Sequence, residues 1–191
     1  MQKIFLTIVL FSTVLLSSCD NVDDWISRRY PGRCFFFFYL EHPTSILFAA
    51  YKTPGMWVYA YTENVLTNNN RHVYIQSGSS TSQQEIHDIT TAREKSCRYV
   101  MGARNDIGLI IGCTYFNGPR AYDRTCPNCP TIQTLRWAYN AQHVECSKCK
   151  RTYDLETGAI VDGDKGEALM RYGITYDETR ADHDKVLYVG N

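Results

Sequence analysis

The chain has 191 residues, and its 20 Lys and Arg balance 20 Asp and Glu. No basic stripe is present, so the sequence gives no footing for nucleic-acid binding, and it carries no internal repeats. Fourteen Tyr and eight Phe favour half-buried pleated surfaces, which points to an all-β fold.

At the amino terminus, Lys3 precedes an uncharged run from Ile4 to Leu16. The run is too short for a membrane-spanning helix, which needs roughly 20 apolar residues, but has the length of a signal-peptide core. Leu16-Ser17-Ser18-Cys19 follows at once and resembles the lipobox of bacterial lipoprotein precursors. The resemblance implies a signal peptide over 1–18, lipid on the Cys19 thiol and attachment to a membrane through that lipid. An ordinary signal peptide with a chance cysteine is the alternative. Residues 19–30 read as a lipidated tether. Asp20 resembles an inner-membrane retention signal in some bacterial groups and a surface signal in others. The expected location is therefore the cell envelope, outside the cytoplasm, on the inner or the outer membrane.

Residues 31–191 are enough for a single domain with its own core. Strands are expected at Cys34–Leu40, Ser45–Tyr51, Met56–Tyr61, His72–Gln76, Gly108–Thr114, Leu135–Tyr139, Gly158–Val161, Leu169–Thr175 and Val186–Val189. Trp57, Tyr59 and Tyr61 alternate, as do Leu135, Trp137 and Tyr139, which predicts strands with one buried face. Turn signals such as Pro54-Gly55, Asn117-Gly118 and Asp162-Gly163 separate the runs. Short strands at this spacing predict an antiparallel sandwich or small barrel. The polar stretch Ser77 to Arg104 reads as a long insertion, with a short helix within Gln84 to Lys95.

The chemistry lies in the cysteines. Cys126-Pro127-Asn128-Cys129 and Cys146-Ser147-Lys148-Cys149 are separated by 16 residues, which is zinc-ribbon spacing. Two residues between cysteines let one tight loop aim both thiolates at one ion, and two such loops complete the tetrahedral sulfur site that Zn²⁺ prefers. Disulfides or a thioredoxin-like redox pair are the alternatives, but Pro130 and a strand pattern replace the helix that activates a redox thiol. Of Cys34, Cys97 and Cys113, two are candidates for a disulfide and one for a buried apolar thiol, with the pairing open.

Around these pairs, Cys146-Ser-Lys-Cys149-Lys-Arg-Thr-Tyr153-Asp154-Leu155-Glu-Thr-Gly158 resembles the second cluster-binding loop of Rieske-type iron–sulfur domains. Leu169, Tyr172 and Val186–Val189 resemble that fold's later strands, and Gly108–Gly112 with Ala121–Arg124 its approach to the first loop. The resemblance covers roughly Gly108 to Val189. It implies a Rieske-like antiparallel fold with a two-loop metal subdomain at about 122–158. The family's histidines are missing: Cys149 stands where the second belongs, and Cys129 lies one position beyond the first. High-potential chemistry, which two His ligands confer, is therefore expected to be lost.

Cys126, Cys129, Cys146 and Cys149 are the expected ligands of one centre. Zinc is the first expectation, a [2Fe–2S] cluster or a single iron the second, and no metal the third. Arg124, Lys148, Lys150 and Arg151 either offset the site's negative charge or form a solvated rim. His143, three residues before Cys146, is a reserve ligand. No G-x-S-x-G, phosphate loop or H-E-x-x-H occurs, and a site closed by four cysteines leaves no position for substrate. The expectation is a non-enzymatic, membrane-anchored metal-binding protein, with an extracytoplasmic electron carrier as the alternative and its partner unassigned.

Overall fold

The computed structural model describes residues 32–39, 45–63, 72–78, 83–96, 99–177 and 185–191. The expected signal peptide, Cys19, the expected tether, His42, Cys97 and His183 lie outside them. Among the described residues no helix is long and apolar enough to cross a membrane.

The chain is mostly β and antiparallel. Strands β1 (Cys34–Tyr39), β2 (Trp57–Thr62), β3 (His72–Ser77), β4 (Gln84–Asp88), β5 (Val100–Met101), β6 (Leu109–Cys113), β7 (Pro119–Asp123), β12 (Arg171–Tyr176) and β13 (Val186–Gly190) form one sheet, in the order β4-β3-β2-β6-β7-β12-β13-β1-β5. A second sheet of four short strands runs β11 (Ile160–Asp162), β10 (Thr152–Asp154), β9 (His143–Glu145), β8 (Arg136–Ala138). Two short helices complete the described elements, α1 (Ile46–Lys52) and α2 (Ala92–Ser96).

The large sheet curls around one core. Phe36 and Phe38 of β1 and Val189 of β13 pack in the same cluster as Val58 and Ala60 of β2 and Val73 and Ile75 of β3. The curl does not close: β4 and β5 lie at the two ends of the strand order. The small-barrel expectation is thus corrected to a curled open sheet, because nothing pairs β4 with β5 among the described residues.

Three sequence expectations change. Ser45–Tyr51 is a helix, not a strand. The Ser45 side chain caps it by accepting from Leu47 N, the Glu85 carboxylate accepts from Ile46 N at 2.8 Å, and Leu47 and Ala50 turn one face inward. The Ser77–Arg104 stretch is no insertion, since it supplies both edge strands, β4 and β5; the short helix lies at Ala92–Ser96. Finally, β2 is buried on both faces, not one. Val58 and Ala60 face the large core while Trp57 and Tyr59 face the second sheet, and in β6 Leu109 and Ile111 oppose Ile110 in the same way. Gly112 sits opposite Trp57 in the register, and a Cβ there would lie 2.3 Å from the indole, so only glycine lets that ring lie across β6.

Candidate metal centre

The second sheet and the end of β7 frame two loops. The first leaves β7 at Asp123, whose buried carboxylate accepts from Thr125 N, Ala103 N and the Tyr172 hydroxyl at 2.8–2.9 Å. A Thr125–Thr134 bridge then closes the loop, and Cys126 N bonds Gln133 O. The second loop is the turn between β9 and β10. Lys150 N donates to Cys146 O at 2.8 Å, and Lys150 takes a left-handed φ of 60°. That conformation is one that favours glycine.

The two loops bring Cys126, Cys129, Cys146 and Cys149 together, with all four sulfurs within 4.8 Å of one another. Cys126 Sγ lies 3.6 Å from Cys149 Sγ, and Cys129 Sγ lies 3.6 Å from Cys146 Sγ. These separations are far beyond a disulfide bond of about 2.0 Å, and all four are free thiols. A tetrahedron with metal–sulfur bonds of about 2.3 Å has edges of about 3.8 Å. The four cysteines are therefore close enough to bind one metal ion. Three of them are buried and Cys149 is half-buried.

Each loop also turns donors onto its sulfurs. Asn128 N donates to Cys126 Sγ, and Arg151 donates to Cys149 Sγ from both backbone and side chain. The Tyr153 hydroxyl lies 3.4 Å from Cys126 Sγ, and Asn128 Nδ2 donates to that hydroxyl at 2.9 Å. Burial pushes the Cys126 thiol up to about 11 and raises Cys129 as well. Burial also opposes ionisation of Cys149, but the bonds from Arg151, with those from Cys126 and Cys146, together outweigh it and lower that thiol to about 7. Without a cation, Cys126 and Cys129 resist becoming the thiolates that a metal requires. Binding must then displace protons and supply the compensating charge.

Of the four basic residues expected near the loops, Arg151 reaches a ligand. Arg124 does not offset the site's charge: its guanidinium lies 3.6 Å over the Tyr59 ring, whose other face stacks on Trp137 at 3.8 Å. Lys148 and Lys150 are solvent-facing. His143 sits on β9, 4.0 Å from Asp154, outside the four-sulfur group. Cys34 and Cys113 are buried thiols that donate to backbone carbonyls.

Anchors between the two sheets escaped the sequence reading. Glu156 accepts from Tyr115 N at 2.7 Å and Phe116 N at 3.1 Å, fastening the β10–β11 turn to the β6–β7 hairpin. Tyr122 Oη donates to Leu155 O, and Gln142 donates to Gly55 O. No spacing rule marks such pairs, which lie tens of residues apart. Asn128 was visible only as a spacer between two ligands, yet its side chain holds Tyr153 and Glu167.

No protein-family model, curated protein or solved structure matches the chain.

Proposed function

We propose that this is a lipid-anchored protein of the bacterial cell envelope whose Rieske-like domain binds a single metal ion, structural zinc, through Cys126, Cys129, Cys146 and Cys149. The observation that carries the reading is the mutual approach of the four sulfurs to within 4.8 Å. It supports one ion over a [2Fe–2S] cluster, because two irons side by side would push their ligand pairs apart. Four cysteines leave no open coordination position, which supports a structural role over catalysis. The anchor rests on the lipobox-like Leu16–Cys19 alone.

Iron in the same four sulfurs is the second reading, favoured by the hydrogen bonds that Tyr153, Asn128 and Arg151 direct at the sulfurs, since such bonds tune iron–thiolate potentials. Metal analysis of protein purified without oxygen, with its absorption spectrum, separates the two. One zinc per chain and no visible band is the expected result. A coloured iron–thiolate spectrum would make the protein an electron carrier, and metal-free protein would sink both readings. For the anchor, Cys19→Ser should abolish lipid attachment. Membrane partition equal to wild type would refute the lipoprotein reading.

A further inference from the structure

The segment 161–168 is exposed along its whole length, so apolar burial cannot be what holds it. Its first residues pair with β10 as part of β11, and beyond Asp162 two side chains hold it. Arg151 Nε donates to Asp164 O at 2.9 Å, and Arg151 Nη2 donates to Lys165 O at 3.2 Å. Asn128 Nδ2 donates to Glu167 O at 2.7 Å, and Asn128 Oδ1 accepts from Glu167 N at 2.8 Å. Asn128 belongs to the first metal loop and Arg151 to the second, so the segment bridges the two loops.

The two holding residues stand differently in their loops, Asn128 between Cys126 and Cys129 and Arg151 beyond Cys149, yet they share one feature. Each stands two positions after a ligand, Asn128 after Cys126 and Arg151 after Cys149, and each donates its backbone N–H to that ligand's sulfur. One residue thus touches a metal ligand with its backbone and the bridging segment with its side chain, once in each loop. The fit at Gly166 is close: a Cβ there would lie 2.2 Å from Asn128 Oδ1. At Gly163, φ is +95° and a Cβ would lie 3.1 Å from Arg151 Cα. Leu169, buried, ends the segment, and its N–H bonds Gly158 O.

We propose that residues 163–168 form a metal-coupled strap, and that Asn128 and Arg151 are the positioning residues that fasten it across the two loops when the ion is bound. The inference rests on the four-cysteine metal reading. An ion fixes the two sulfurs, the sulfurs fix the backbone at positions 128 and 151, and those positions aim the amide and the guanidinium at the strap. With the site empty, the loops lose that frame and the strap lifts. With the ion bound, the strap hinders an incoming chelator or metal-accepting protein and slows release.

The test uses the full chain in detergent, loaded with Co²⁺ as a visible probe of thiolate ligation and challenged with excess EDTA. Asn128→Ala and Arg151→Lys should each release Co²⁺ about tenfold faster than wild type or more, the range found for partners of metal ligands. Gly166→Ala should follow Asn128→Ala, while Lys148→Gln, which removes a loop charge without touching the strap, should release at the wild-type rate. Hydrogen exchange on the wild type gives a second readout that needs no variant to fold. The Glu167 amide should be protected in loaded protein and exchange freely in stripped protein. Equal release rates across the variants, or equal protection in both forms, would overturn the strap. Failure of the wild type to develop cobalt–thiolate absorption would instead overturn the metal reading beneath it.

Discussion

The two sheets are held by different means. The nine-stranded sheet encloses Phe36, Phe38, Val58, Val73, Ile75, Leu109, Ile111, Leu187 and Val189, all nearly or wholly excluded from water. The four-stranded sheet has strands of only three residues. Its core is Leu135, Val144, Tyr153 and Leu155 with three buried thiols, packed on Trp57, Tyr59, Ile110 and Tyr122 of the larger sheet. Strands that short bury too little for independent stability. The larger sheet stands on its own packing, whereas the smaller leans on the larger, and an ion among the four cysteines would staple its loops.

The largest expected effect breaks that staple. Cys146→Ser should lose the metal and, with it, hydrogen-exchange protection of β8 to β11, since metal binding free energy is folding free energy, about 10–16 kcal/mol for structural zinc sites. Protection in β2, β3 and β6 should persist. Loss of protection in both sheets at once would show that they form one cooperative unit. The converse substitution is Phe36→Ala, which empties a fully buried site between Phe38 and Tyr99. It should cost about 3–5 kcal/mol by chemical denaturation while metal stoichiometry stays at the wild-type value.

A smaller effect is expected in the larger sheet. Glu94 is buried and bonds His87 Nε2 at 2.6 Å and Thr91. Burial opposes its ionisation, but the bonds from His87 and Thr91 prevail and hold its pKa below the ordinary 4.5. A carboxyl depressed on folding contributes stability that is complete above its unfolded pKa and is lost as pH falls through the folded one. Stability should therefore drop below pH 4.5, and Glu94→Gln should flatten that part of the profile. An unchanged slope in Glu94→Gln would remove this pair from the account.

The sequence made some of this legible because the relevant signals are local. Eight of the nine expected strands fall on observed strands, with runs such as Cys34–Tyr39 and Val186–Gly190 recovered nearly to the residue. The cysteine spacing selected the four residues that the fold brings together. What was missed depends on distant contacts. Ser45–Tyr51 is aromatic enough to read as a strand, but Glu85, 40 residues away, accepts from Ser45 Oγ at the helix start. β9 and β10 are three residues long, too short for a period to register. Leu135, Trp137 and Tyr139 alternate in sequence, yet Tyr139, Asn140 and Ala141 all take positive φ and turn the chain out of the strand. In β2 the alternating aromatics mark one buried face, but Val58 and Ala60 between them are apolar as well, so the period alone does not reveal burial on both sides.

The proposed site holds one ion among four sulfurs. X-ray absorption at the metal edge, on protein isolated without oxygen, measures this directly. A single shell of four sulfur scatterers at about 2.3 Å and no metal–metal scattering are expected. Nitrogen or oxygen in the first shell, or a second metal close by, would contradict the proposed site.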